Sequence, residues 1–503
     1  MKSNYFILLL TAFFCACTAQ PQTDQEKPEI RFKDGKLRIA QFTDVHWDTG
    51  ESEKGSDECL PRTIKNVVKS ENPDILVFTG DVVTGAPLVQ GWRTFIDLMH
   101  EIGLPYAVVM GNHDPETAVD YVDGKAVHWE TQATRDSIFT YLEQSPLFLG
   151  ERGPAELKGM GHYTVPVLAS DGSDKVMSVL YCMDSYDYSN DERLPGGYGW
   201  FSFEQIDWYR QQSKAYTAAN GGTPVTSLAF FHIPLPEYHL IVKDEDTVGA
   251  RLETVCSPDI NTGMYAAMFE QQDVIGVFVG HDHNNDFIGQ YRGIALAYGK
   301  AAGVDTYGSL TKGGRIIDLY EGTKFFDTWI IDEDGKKEDV YYYPSAISDN
   351  DLVKYKMLPA SDVDPQQKGV SYKYYEGPFK NVRAMATEGK LVEQGVLDSF
   401  DITGAKVKDH FGYEFSCWIT VPETGIYKVA VGSDDGAALW IDGTLVVDND
   451  GSHSFREKTG KAHLEKGFHK LDLKYFDSTH GQKLYVHISD KRVDGFEKEL
   501  YVR

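Results

Sequence analysis

The sequence predicts an α/β domain over residues 36–343 and an all-β sandwich over 372–503, and three observations carry that reading. Apolar runs of strand length recur between residues 37 and 331 and alternate with helix-like segments. A polar stretch follows (344–371, with Asp349, Asp351, Asp362, Asp364 and Pro365) that has no clear periodicity and is expected to be a linker. Beyond Tyr372 the pattern becomes short alternating strands roughly a dozen residues apart, with turn residues between them.

In chain order, the first residues are a targeting segment rather than part of a core. Lys2 gives a positive start, Tyr5 to Phe14 is apolar, and small residues follow at Ala16 and Ala19. That stretch is too short for a membrane-spanning helix, which needs about 20 residues. Two endings compete. Cleavage before Cys17 leaves a lipid-modified cysteine, as in bacterial lipoproteins, with 1–17 as signal and 18–35 as tether. Cleavage after Ala19 releases a secreted protein. The polar stretch Thr18 to Glu29 suits an anchor with a spacer, so Cys17 is the expected lipid attachment point. Either ending puts the mature protein outside the cytoplasm, anchored in a bacterial cell envelope or secreted.

Five apolar runs then each end on polar residues able to bind metal. Leu37 to Phe42 leads to Asp44 and His46, and Ile75 to Phe78 to Gly80-Asp81. Tyr106 to Val109 leads to Gly111-Asn112-His113-Asp114, Leu228 to Phe231 to His232, and Gly276 to Val279 to Gly280-His281-Asp282-His283. Continuous apolar runs read as strands buried on both faces, and ligands gather beyond strand ends in open sheets. Between them, Pro61 to Ser70 reads as a helix with Pro61 in its first turn, and Trp92 to Ile102 as a helix stopped by Gly103. Thr306 to Ile331 reads as closing strands with Gly313-Gly314 as their turn.

Composition narrows the function. Asp plus Glu number 76 against 49 Lys plus Arg, a formal charge of −27, which repels duplex phosphate and argues against nucleic-acid binding. Bound cations can reverse such a field locally, so a phosphorylated substrate is compatible with it. Beyond the signal the cysteines are Cys59, Cys182, Cys256 and Cys417. Cys182 lies in an apolar run and is expected as a buried thiol, and Cys59 and Cys256 lie in polar sequence where they could pair. None has zinc-site spacing.

A pair of divalent cations needs a carboxylate able to touch both and a mixed set of His, Asp and Asn around them. The five strand ends supply that set. In order and placement they resemble the five motifs of the calcineurin-like metallophosphoesterases, over roughly residues 37–331. The flanking text Phe231 to Glu237, Cys256-Ser257-Pro258 and Gly280 to Phe287 is similar to a subgroup of small plant purple-acid-phosphatase relatives and a fungal phosphatase. Thr84 stands where purple enzymes carry a tyrosine, so no purple colour is expected.

The resemblance implies a four-layer fold, two β-sheets flanked by helices. It implies one metal on Asp44, His46 and His283, a second on Asn112, His232 and His281, and Asp81 bridging. The cations would be Fe, Mn or Zn, and a hydroxide held between them would attack phosphorus in line. His113 would serve the leaving group, with Asp114 orienting it. Asp184, Tyr186 and His239 are weaker candidates for substrate contact, and His128 and His162 are expected to be structural.

The second domain resembles the protective-antigen-type β-sandwich, through Glu423 to Tyr427, Gly432 to Gly436, Leu439 to Gly443 and Leu464 to His469. That resemblance implies a carbohydrate-binding module in which Asp434 and Asp435, joined by Asn449, hold calcium; Asp-Asp-Gly is equally a common turn. The resulting expectation is an envelope-anchored two-metal phosphoesterase acting on a phosphorylated small molecule or glycan. A phosphodiesterase, or a catalytically silent glycan-binding surface protein, remains the alternative.

Overall fold

The computed structural model describes residues 27–48, 56–85, 87–115, 119–122, 125–128, 133–189, 193, 197–491 and 500–502. The expected targeting segment and the expected tether to residue 26, with Cys17, and the side chains of Cys59 and His128 lie outside the described residues.

Two seven-stranded sheets face one another. The first runs Ile347–Ser348, Lys337–Tyr343, Phe326–Asp332, Gly313–Tyr320, Lys36–Phe42, Ile75–Thr79, Tyr106–Val109. The second runs Ile30–Arg31, Tyr163–Leu168, Val176–Cys182, Ser227–Phe230, Val274–Val279, Ile294–Tyr298, Ile288–Tyr291. All five expected strands are present. Three pair in parallel in the first sheet and two in the second, so their carboxyl ends share one rim.

Burial on both faces explains why those runs are continuously apolar. In Lys36–Phe42, Leu37 and Ile39 point into the core between the sheets, while Ala40 and Phe42 point outward under the helices. Ser227–Phe230 repeats the division, with Leu228 and Phe230 between the sheets and Ala229 outward. The helices Ser56–Glu71 and Leu88–Ile102 cover the first sheet, and Phe203–Ala219 and Met264–Gln271 cover the second. The result is the four-layer α/β arrangement. Buried Gln41 ties the sheets together near the rim, donating to Thr79 Oγ1 at 2.9 Å and to the Val279 carbonyl at 3.0 Å.

Some boundaries differ from the sequence reading. The first helix begins at Ser56, so Pro61 lies inside it, past the first turn, where its missing N–H removes one intrahelical hydrogen bond. The second helix does stop at Gly103, in the left-handed region at φ 75°. Gly313-Gly314 opens a strand instead of turning a hairpin; the turn lies at 321–325. A side chain at Gly313 would strike the Ile331 carbonyl at 2.0 Å, so close strand approach accounts for that glycine.

The expected linker carries short elements of both neighbours. Ile347–Ser348 edges the first sheet, and Met357–Leu358 pairs in parallel with Arg456–Leu464 of the second domain. At this junction the buried Lys461 ammonium lies 2.9 Å from Asp351 Oδ2 and 3.0 Å from Asp246 Oδ1, and donates to the Ala346 carbonyl at 2.6 Å. The second domain is a sandwich of a four-stranded and an eight-stranded sheet around a core of Ile419, Val429, Leu439 and Leu473. Its Asp442-Gly443 turn has both residues at positive φ (48° and 78°), the geometry that a two-residue hairpin needs.

Candidate metal centre

Four of the seven expected ligands leave their strand ends through a backbone that few residues tolerate. Asp44, His46, Asp81 and His281 all lie at positive φ (47°, 45°, 50° and 82°). Non-glycine residues there cost about 1–3 kcal/mol each, and such strain concentrates at functional sites. The glycines beside them permit contact: a Cβ at Gly111 would meet Asp81 Oδ1 at 2.1 Å, and one at Gly280 would meet Thr43 Oγ1 at 1.7 Å. Backbone bonds then cross between loops, from Asp44 N to the Gly80 carbonyl and from His46 N to the Asp81 carbonyl.

Two clusters of ligand atoms result. Asp44, His46 and His283 form one, and Asp81, His232 and His281 the other, each with its atoms within 4.8 Å of one another. Asp81 Oδ2 lies 3.1 Å from His232 Nε2 and 3.6 Å from His46 Nε2, so a single carboxylate faces both clusters. His283 Nε2 is 3.3 Å from Asp44 Oδ1.

Whether the residues fit cations can be judged from their unfilled atoms. His46 Nε2, Asn112 Oδ1, His232 Nε2 and His281 Nε2 are all buried with no hydrogen-bond partner. Buried polar atoms without partners are rare and costly, and four in one place call for a missing centre of positive charge. Their orientation is fixed from behind. His232 Nδ1 bonds the Thr79 carbonyl at 2.8 Å, which leaves Nε2 bare, and Asn112 Nδ2 donates to the Tyr188 hydroxyl at 3.3 Å, which turns Oδ1 inward.

Electrostatics agree. Burial, with the charge of neighbouring His232, pushes His281 down to about 3, and burial lowers His46 as well, keeping both imidazoles neutral as ligation requires. Burial opposes charge on Asp44, but His283 beside it holds its carboxyl at about 2. Burial also opposes charge on His232, and Asp81 overrides it, lifting the imidazole to about 10. A cation between those two would replace that proton.

Asp114 requires a correction. Its Oδ1 accepts from Val82 N (2.7 Å) and Val83 N (3.2 Å), and its Oδ2 from Gly111 N (2.7 Å) and Asp81 N (3.0 Å). Those four bonds fill the carboxylate's lone pairs, leaving none for the His113 ring. Asp114 therefore fastens the loop of Asp81 to the loop of Asn112. His113 is half-buried; its N–H donates to Asp81 Oδ1 at 2.8 Å and its ring centroid lies 5.7 Å from that of His46.

The weaker candidates have structural partners or lie at the surface. Buried Asp184 takes Arg135 Nε, Met160 N and Tyr186 N, so it shapes a turn, and Tyr186 is covered by Arg135 and Lys158. His162 is buried against the Lys158 carbonyl, and exposed His239 faces Ser257. Aromatic walls escaped the sequence reading. Tyr198 packs edge-on to His281 at 4.6 Å, Tyr188 stacks on Tyr198, and Tyr307 stacks on His283 at 4.1 Å. They lie in loops of irregular spacing, where no periodic signal marks them.

In the second domain Asn449 is also corrected. Its amide donates to Ser433 Oγ and the Arg456 carbonyl, and its Oδ1 accepts from Arg456 Nε at 2.8 Å, so it locks strands together inside the sandwich. Asp435 accepts from His453 N and Ser478 N. Buried Asp477 has both oxygens without partners; burial, with Asp435 next, raises its carboxyl to about 7. Cys182 and Cys417 are buried free thiols and Cys256 is a half-buried one; the expected partner of Cys256, Cys59, lies outside the described residues.

Comparison with known proteins gives two family matches, calcineurin-like phosphoesterase over residues 37–285 and PA14 domain over 366–498. A protein of Arabidopsis thaliana named probable inactive purple acid phosphatase 14 is 29% identical over 350 residues, 63% of this chain and 84% of its own length. Phosphatase DCR2 of Saccharomyces cerevisiae is 28% identical over 280 residues, 50% of this chain and 45% of its own. The solved structure of a dimetal phosphatase from Danio rerio (LOC 393393) aligns at 14% identity and TM-score 0.40, over 59% of this chain and 96% of that one.

Proposed function

From the premise that this chain carries a calcineurin-like phosphoesterase domain over residues 37–285 and a PA14 domain over 366–498, we propose that it is an active two-metal phosphoesterase working outside the cytoplasm. The observation that carries the proposal is the meeting of unpartnered ligand atoms around Asp81. Asp44, His46 and His283 would hold one cation, Asn112, His232 and His281 the other, with Asp81 Oδ2 between them. Nitrogen and oxygen donors without thiolate suit Zn, Mn or Fe. When bound, such a pair lowers the pKa of water toward ~7 and neutralises charge on phosphoryl oxygens.

The chain's own residues do the rest. The Thr79 carbonyl and the Tyr188 hydroxyl hold His232 and Asn112 in the ligating orientation. Tyr198 and Tyr307 flank His281 and His283. His113, beside the ligand Asn112 and hydrogen-bonded through its backbone to Asp81, is placed to hold a proton for the leaving oxygen. Relatives that bear the word inactive in their names make activity the point to test. The test is hydrolysis of an aryl phosphate and a bis-aryl phosphate by metal-depleted protein given back Zn, Mn or Fe. Turnover with one metal and not without it supports the reading; metal loading with no turnover on any ester refutes it. The ratio of the two rates separates monoesterase from diesterase.

Two finer parts of the reading rest on the ends of the chain. Anchorage through Cys17 is supported by the apolar run before it and the polar tether after it. Palmitate labelling is expected in the full chain and lost in Cys17→Ser; retained label contradicts the anchor. Calcium and a carbohydrate in the PA14 domain are supported by Asp434 and Asp435 with the unpartnered Asp477 oxygens close by in charge. Calcium is expected to raise the unfolding temperature of that domain in wild type and not in Asp434→Ala. An equal rise in both variants assigns the aspartates to a turn.

A further inference from the structure

We propose that Glu253, Cys256 and Asp282 form a third cation site, for a zinc-class divalent ion, beside the binuclear centre. Their ligand atoms lie within 4.8 Å of one another, and Asp282 directly separates His281 from His283 in sequence. Asp282 is 2% exposed, and its Oδ1 has no hydrogen-bond partner. Its Oδ2 accepts from Cys256 N at 3.0 Å and from the Tyr298 hydroxyl at 2.5 Å. Glu253 Oε2 accepts from Asn284 N at 3.0 Å and Oε1 from the Tyr307 hydroxyl, and each carboxylate oxygen keeps a further lone pair. The Cys256 thiol has a long contact to the Thr254 carbonyl, 3.4 Å, and faces the Asp282 carboxylate.

Two carboxyl groups and a thiol drawn this close are unfavourable unless a proton or a cation sits among them. A thiolate with two carboxylates suits zinc-class cations over calcium or magnesium, whose sites are built of oxygen. Binding breaks the Cys256 S–H bond, forms a sulfur–metal bond and sends the proton to solvent, with no change of oxidation state. The ion would pin the 253–256 loop to the 281–285 segment. These loops are already joined by the Cys256 and Asn284 amide bonds and by Glu253 N to Asn285 Oδ1 at 3.2 Å. Through them it would stiffen the segment that carries His281 and His283.

The test uses the full chain with its metals loaded and counted. Zinc at about ten times its Kd is expected to slow alkylation of Cys256 by iodoacetamide about tenfold, read by peptide mass. Cadmium is expected to give an ultraviolet thiolate-to-cadmium band that is lost in Cys256→Ser and weakened in Glu253→Gln. The metal count should fall by one in Cys256→Ser, the binuclear pair being retained. Unchanged alkylation with zinc, or a cadmium band that survives Cys256→Ser, overturns the proposal. A binuclear centre that fails to load leaves the alkylation arm intact, so failure of the phosphoesterase reading and failure of this site are told apart.

Discussion

Asp81→Asn is expected to lose at least on the order of 10³-fold in turnover on any phosphate ester and to release one or both cations. Asp81 Oδ2 is the atom that faces both ligand clusters, 3.1 Å from His232 Nε2 and 3.6 Å from His46 Nε2. An amide of the same shape carries no charge and would present either a weak acceptor or an N–H to that point. His113→Ala provides the contrast. It is expected to cut turnover by about 10²–10⁴ while both metals stay, because His113 supplies no atom to either cluster. Metal content and initial rate measured on the same preparations decide the matter. Asp81→Asn with two metals and a wild-type rate would remove the basis of the two-cation reading.

Asp114→Ala is the second large effect, and its first consequence is for stability. Four backbone N–H groups, of Asp81, Val82, Val83 and Gly111, would lose their acceptor. A buried donor left without a partner costs about 1–3 kcal/mol, so even with water entering the gap the loss should exceed about 3 kcal/mol. The denaturant midpoint should fall, and the protein that remains folded should bind metal poorly, since the Asp81 loop is no longer fixed to the Asn112 loop. Asp114→Asn keeps an acceptor for part of the set and is expected to fall between the two. Wild-type stability in Asp114→Ala would show that the four amides find other partners.

The strand ends were legible because chemistry and period coincide there. A run such as Ile75 to Phe78, apolar at every position, requires cover on both faces, and the layered fold supplies it. A ligand at its end is then displaced only by the polypeptide's need to leave the sheet. The role of Asp114 was not legible, because its partners are backbone amides, which every residue carries alike. Asn449 misled for a related reason: beside an Asp-Asp pair its amide reads as a ligand, while the Arg456 guanidinium that claims it lies across the strand pairing. Gly313-Gly314 resembled a turn because glycine marks both turns and tight strand contacts, and only the Ile331 carbonyl distinguishes them. Tyr188, Tyr198 and Tyr307 reach the centre from loops whose course depends on the whole fold.

The ammonium of Lys461, enclosed by two carboxylates and a carbonyl from outside the sandwich, ties the second domain to the first. A module on a slack tether would sample a broad volume and raise local substrate concentration over all of it. One fastened at this junction would instead hold any ligand it bound at a constant separation from the metal-ligand cluster, like a jig beside a cutting edge. On the proposed reading, the length of a bound glycan would then decide which phosphate reaches the cluster.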